Sequence, residues 1–199
     1  MLLHADDCQL VLIDYQARQK PAIHDATAVL ANARRLAQMA KLFDVPVWAT
    51  EQNPTKLGAT AESLAPLCDS IVAKMAFSGA DELQPLLAPP VAAPRGNARS
   101  LPKHLQKPQT AAPERGTVVI AGCETHVCLL QTALMLLEAE WDVCVVTDAC
   151  GSRTERNRDA AYDRLAGAGC ELVTTEMVGF EWLRDCEHPQ FRAVQALIK

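Results

Sequence analysis

No basic stripe runs through this sequence. Its 19 lysines and arginines are outnumbered by 24 acids, giving a formal net charge of −5 at pH 7. A protein that grips a phosphate backbone carries a basic face, so nucleic acid is not an expected partner. Long apolar runs are missing too. The longest is a handful of residues, against about 20 needed to cross a bilayer, so no membrane association is expected. The stretch Met1-Leu2-Leu3-His4-Ala5-Asp6-Asp7 has no basic region and soon reaches acid, so it does not read as a secretory signal. The nine glycines contain no G-x-G-x-x-G after the first apolar run, where a dinucleotide enzyme would place its phosphate turn. No pair among the eight cysteines has C-x-x-C spacing. They are spread from Cys8 to Cys186, and Cys144, Cys150 and Cys170 sit in or beside apolar runs, where a free thiol behaves as a small hydrophobe. A reducing, cytoplasmic setting is the expectation.

What is present is ordinary globular material: 199 residues, 49% hydrophobic and 22% charged, enough for one domain over residues 1–199. Short apolar runs alternate with helical stripes. Gln9–Asp14, Val45–Thr50, Ser70–Lys74, Thr117–Gly122, Val143–Asp148 and Glu171–Thr175 read as strands. Helical patterns cover about 25–43, 126–139 and 154–167, and two short helices follow, split at His188-Pro189. Strands that are apolar on both faces and separated by helices predict a three-layer α/β/α sandwich around an open, mainly parallel sheet. Such sheets place their sites at the carboxyl ends of the strands. Asp14, Lys74, the Gly122–Cys128 turn and Asp148 all fall there. Residues 85–113 break the rhythm with seven of the twelve prolines, and an insertion over about 85–115, without regular helix or ladder strand, is expected.

The most informative stretch is Gly122-Cys123-Glu124-Thr125-His126-Val127-Cys128, a strand end, a tight turn and a helix start. Cys128 in the first helical turn would feel backbone N–H groups and the dipole, which favour thiolate. It would then be a nucleophile, or else a buried helix cysteine packing like alanine. Asp14 is the only charge ending an apolar strand, and Lys74 closes another. Each alone has a bland reading as a turn cap or an edge residue. An acid, a cation and a thiol at three strand ends of one sheet point instead to an activated nucleophile.

These motifs, Leu12-Ile13-Asp14-Tyr15-Gln16, Lys74-Met75-Ala76-Phe77-Ser78 and Gly122–Cys128, resemble those of the isochorismatase-like cysteine hydrolases. Gln131-Thr132-Ala133, Asp148–Arg153 and His188-Pro189-Gln190-Phe191 are most similar to its isochorismatase-domain-containing branch. The resemblance implies a catalytic triad of Asp14, Lys74 and Cys128. It also implies an oxyanion hole from the backbone N–H groups of Glu124 and Cys128, and a cis peptide at Cys123–Glu124. Asp14 would take and return the thiol proton on a small amide or related substrate, and Lys74 would hold Asp14. The family is generally oligomeric, so a homo-oligomer, dimer or higher, is expected. Apolar residues of the last helices (Val178, Phe180, Trp182, Phe191, Val194, Leu197, Ile198) also exceed what one domain easily covers.

One departure matters. Nicotinamidases of this superfamily bind a metal through an aspartate and histidines after the second strand. Here Thr50–Lys56 has no histidine, and none follows until His104, so neither metal nor cofactor is expected. Tyr15, Trp48, Phe77 and His126 could wall a pocket; the first three could equally be core, and His126 could cap the helix. Cys123 and Cys150 read as packing residues and Asp148 as an organiser of its loop. A catalytically quiet, oligomeric scaffold is the alternative to a hydrolase.

Overall fold

Six strands form one all-parallel sheet in the order β3-β2-β1-β4-β5-β6. They are β1 (Cys8–Ile13), β2 (Val47–Gln52), β3 (Ser70–Lys74), β4 (Thr117–Gly122), β5 (Asp142–Val146) and β6 (Glu171–Val173). Helices on both faces complete the sandwich: α1 (Ala26–Leu42), α2 (Pro54–Leu57), α3 (Ala80–Leu87), α4 (Leu130–Glu138), α5 (Glu155–Ala168), α6 (Thr175–Leu183) and α7 (Phe191–Ile198). The computed structural model describes residues 2–18, 20–87 and 115–199. Most of the proline-rich insertion, with His104, lies outside them. None of the described helices is long and apolar enough to cross a membrane.

The central strands explain why the sequence reads as it does. Every residue of β1 and β4 is buried, because both faces are covered. The edge strand β3 instead alternates in exposure until Lys74, which is buried. The helix α1 buries Val29, Ala33, Leu36, Ala37 and Ala40 as one stripe. The helices α5 and α6 open on Thr154 and Thr174, whose hydroxyls accept from Asn157 N and Met177 N.

Three expectations shift. The strand β2 starts at Val47 and runs on through Glu51 and Gln52, where it pairs with Ala73 and Lys74 of β3. Pro46 lacks an N–H but its carbonyl accepts from Leu10 N (2.8 Å), just ahead of the strand. Pro85 lies inside α3, contrary to the expected break. The helix is short and amphipathic, with Leu83 and Leu87 buried, so apolar docking outweighs one missing hydrogen bond. Finally, Val178, Trp182 and Val194 are fully buried rather than left over, and the exposed apolar surface there is Leu2, Met177 and Phe180.

The reversal of strand order falls between β1 and β4, where the chains approach closely. A Cβ on Gly122 would stand 2.5 Å from both the Ile13 Cβ and the Ile13 carbonyl oxygen. Backbone cannot retreat as a flexible side chain can, so Gly122→Ala should lower stability by about 1–3 kcal/mol or more. Gly167, on the exposed face of α5 with nothing within 4 Å of a Cβ, gives the opposite sign. Gly167→Ala should stabilise by about 0.5–1 kcal/mol. Thermal unfolding of the two variants side by side checks both.

The cysteines are free, and six of the eight are fully buried. Burial pushes Cys8 and Cys170 up to about 11 and Cys144 and Cys150 up to about 12, from an ordinary value near 9. The native state therefore holds these protons after the unfolded chain has released them. Stability should be fully present below pH 9 and decline steadily from pH 9 to 12. Denaturant midpoints across that range measure the decline, and Cys144→Ala should flatten it.

Candidate active site

Each strand end contributes one piece. Asp14 follows β1 in a left-handed conformation (φ 52°), a strained setting for a residue other than glycine, of a kind that clusters at functional sites. The turn lets Gln16 N bond to Asp14 O at 2.8 Å, while Asp14 N bonds to Thr50 O of β2 at 3.2 Å. Its carboxylate is thus swung off the strand and into the sheet's end, where Thr50 Oγ1 donates to Oδ1 at 2.7 Å. Lys74 ends β3, and its Nζ lies 2.8 Å from Asp14 Oδ2, with both side chains wholly shielded from solvent. The ammonium also donates to Gln52 Oε1 (2.7 Å), Phe77 O (2.9 Å) and Ala76 O (3.3 Å). A buried ammonium is tolerable only with this density of acceptors.

The third piece comes from β4. The Cys123–Glu124 peptide is cis, and the chain then enters a π-helical turn over Thr125–Leu129 before α4 begins. Single π turns inside helices are common at functional sites, since the wider turn re-aims side chains. Cys128 sits in it, buried, close enough for the charges of both Asp14 and Lys74 to act on its thiol. Asp14, Lys74 and Cys128, predicted from three distant strand ends, are therefore brought together.

The electrostatics differ from the expectation of a thiolate. Burial and the Asp14 carboxylate push the Cys128 thiol up to about 12, and the opposing pull of Lys74 does not compensate. The resting arrangement is a neutral thiol beside the Asp14–Lys74 pair. The pull of Lys74 loses because burial and the carboxylate together outweigh it.

The remaining predicted residues divide. Tyr15 is buried; its hydroxyl donates to Ala149 O, and with Asp14, Ile23, Val29 and Cys123 it lines a small apolar niche. Phe77 is exposed beside the site, holding Lys74 through its carbonyl. Trp48 lies near the amino end of β2, away from the site, with its indole N–H donating to Gln9 Oε1. His126 is clasped through Nδ1 to Ser152 Oγ (3.0 Å) and Nε2 to Asn157 Nδ2 (3.4 Å). Glu124 pairs with Arg153 at 2.9 Å. Asp148 accepts from the Thr175 N–H and hydroxyl, an organising position at the start of α6. Thr50 and Gln52, which grip the carboxylate and the ammonium, have no predicted role. A polar residue ending an otherwise apolar strand was the available signal.

The end of β2 offers little to a metal. The Glu51 carboxylate accepts from Thr60 N and Oγ1, and Gln52 is committed to Lys74. Among the described residues no group of three or more His, Cys, Asp or Glu side chains could hold a metal ion.

The chain has relatives among known proteins. The chain is 34% identical over 190 residues to isochorismatase domain-containing protein 2A of Mus musculus, covering 96% of this chain and 82% of that one. Among solved structures, MAR1 ribonuclease from Caenorhabditis elegans superposes with a TM-score of 0.83 at 27% identity, covering 100% and 92% of the two chains. The YcaC gene product of Escherichia coli, described as an octameric hydrolase of unknown specificity, does so with a TM-score of 0.77 at 25% identity over 98% and 95%. The Isochorismatase domain family model matches residues 8–177. With these matches and an isochorismatase-like fold, the chain belongs to the isochorismatase family of hydrolases.

Proposed function

We propose that this protein is a metal-independent cysteine hydrolase acting on a small amide or related acyl compound. The observation that carries the reading is the convergence of one carboxylate, one ammonium and one thiol in a water-poor crevice at the strand-order reversal. In the proposed cycle Cys128 Sγ bonds to the substrate carbonyl carbon as its proton passes to Asp14. The tetrahedral oxyanion faces the backbone N–H groups of Glu124 and Cys128. Collapse breaks the C–N bond, and the amine leaves with the proton that Asp14 held. Asp14 then takes a proton from water as its oxygen attacks the thioester. The acid departs and the proton returns to sulfur.

A thiol held near pKa 12 fits this sequence, because the proton moves only as the new bond forms. Lys74 keeps Asp14 oriented throughout. The quiet-scaffold alternative gains nothing from a wholly buried ion pair, whose desolvation is costly. The Caenorhabditis neighbour's ribonuclease label fits poorly here, since a polyanion would meet a chain of net charge −5. We also propose a homo-oligomer, supported by the octameric Escherichia coli neighbour and by exposed Leu2, Met177 and Phe180 along one groove. Light scattering should give a mass above the 21.6 kDa of one chain.

The decisive assay is a panel of small amides and esters with wild type and variants together. Cys128→Ser should abolish turnover while retaining the fold, because Asp14 is too weak a base for a hydroxyl. Asp14→Asn should cost about 10²–10⁴-fold in rate. Equal rates from wild type and Cys128→Ser would overturn the mechanism. Lys74→Ala leaves a buried carboxylate unpaired and should destabilise by about 3–5 kcal/mol, read by thermal unfolding.

A further inference from the structure

Thr132 stands one helical turn beyond Cys128 on α4, fully buried. Its hydroxyl donates its one proton to the Cys128 carbonyl at 2.7 Å, the i−4 bond that Thr side chains make on helices. The same oxygen accepts from Gly79 N at 2.9 Å. One atom therefore ties the turn that carries the thiol to the segment that follows Lys74. Nothing in the apolar packing of α4 requires a hydroxyl there, and valine has the same shape.

Gly79 is the other half of the device. A Cβ on it would stand 3.0 Å from the Thr50 methyl, 3.2 Å from Lys74 Cδ and 3.4 Å from Lys74 Cε. The Gly79 backbone thus lies directly against the stem of the lysine and against the threonine whose hydroxyl holds Asp14 Oδ1. All three groups of the site are reached through it. Cys128 is fixed from its own carbonyl, while Gly79 packs beside the Lys74 stem and beside Thr50, which holds Asp14.

We propose that Thr132 is a positioning residue, whose hydroxyl sets the distance between the Cys128 thiol and the Asp14–Lys74 pair by clamping Gly79 to the π-helical turn. The proposal rests on Cys128 being the nucleophile of the reading above. It assigns Thr132 no contact with substrate. Misplacement of a reacting group by about 1 Å can cost up to about a hundredfold in rate, so a slackened clamp is visible in reactivity.

The test needs no substrate. Iodoacetamide is applied to the full chain at neutral pH, and modification of Cys128 is followed by peptide mass spectrometry, with exposed Cys186 as internal reference. Thr132→Val should slow Cys128 alkylation about tenfold while Cys186 is unchanged, and Thr132→Ser should restore it to within about twofold. Gly79→Ala, pressing on Lys74 and Thr50, should slow Cys128 as well. Thermal midpoints of all variants are measured alongside. Thr132→Ser and Gly79→Ala carry the test if Thr132→Val does not fold. Should Asp14→Asn leave Cys128 alkylation at the wild-type rate, the nucleophile reading itself fails. Should Asp14→Asn change it while Thr132→Val or Gly79→Ala reacts like wild type, the positioning role is overturned. A Thr132→Ser rate as low as that of Thr132→Val would also overturn it.

Discussion

The contact between Asp14 and Lys74 is the constraint on which the rest of the molecule depends. Two opposite charges 2.8 Å apart with no solvent exposure are not a stabilising ornament. Desolvating them costs several kcal/mol each, and their mutual attraction returns that only when every remaining donor and acceptor is satisfied. Hence the surrounding polar groups: Thr50 on the carboxylate, Gln52 and the carbonyls of Ala76 and Phe77 on the ammonium. Each belongs to β2 or to the segment after β3. The pair thus dictates why β2 stays hydrogen-bonded through two polar residues past its apolar run. Extending the strand to Gln52 places its amide beside Lys74 on the neighbouring strand.

The same contact governs the thiol. Beside an isolated lysine, Cys128 would lose its proton readily. Beside a lysine already matched by a carboxylate, it does not. A neutral site at rest resists adventitious oxidation, which needs thiolate character. The arrangement also supplies a base at the moment a carbonyl arrives.

Much of this was legible in the residues. The parallel sheet followed from strands apolar on both faces, and the strand-end positions of Asp14, Lys74 and Cys128 placed them at one edge of it. The π-helical turn left no mark, since its five residues read as an ordinary helix start. Thr50 and Gln52 were passed over as grips because an uncharged polar residue at a strand end is a weak signal, and only their partners reveal them. Trp48 misled because a strand over Val45–Thr50 puts it near the carboxyl end, whereas β2 starts at Val47 and leaves it near the amino end. The direction of the Cys128 shift was also hidden. Sequence shows a nearby helix dipole, but not how far burial and a carboxylate outweigh it.

The strand order has a consequence for how the molecule comes into being. The strands β1, β2 and β3 lie in a local succession, whereas β4 must return to pair with β1, joining Cys8 to Thr117 and Ile13 to Gly122. Closing so long a loop costs entropy that only the completed ladder repays, so this pairing is expected late in folding. Asp14 and Lys74 belong to the early half and Cys128 to the late one. A chain still emerging, or one opened along the seam between β1 and β4, carries an ion pair without a thiol and a thiol without a base. The catalytic convergence is thereby withheld from a form in which β4 has not joined β1.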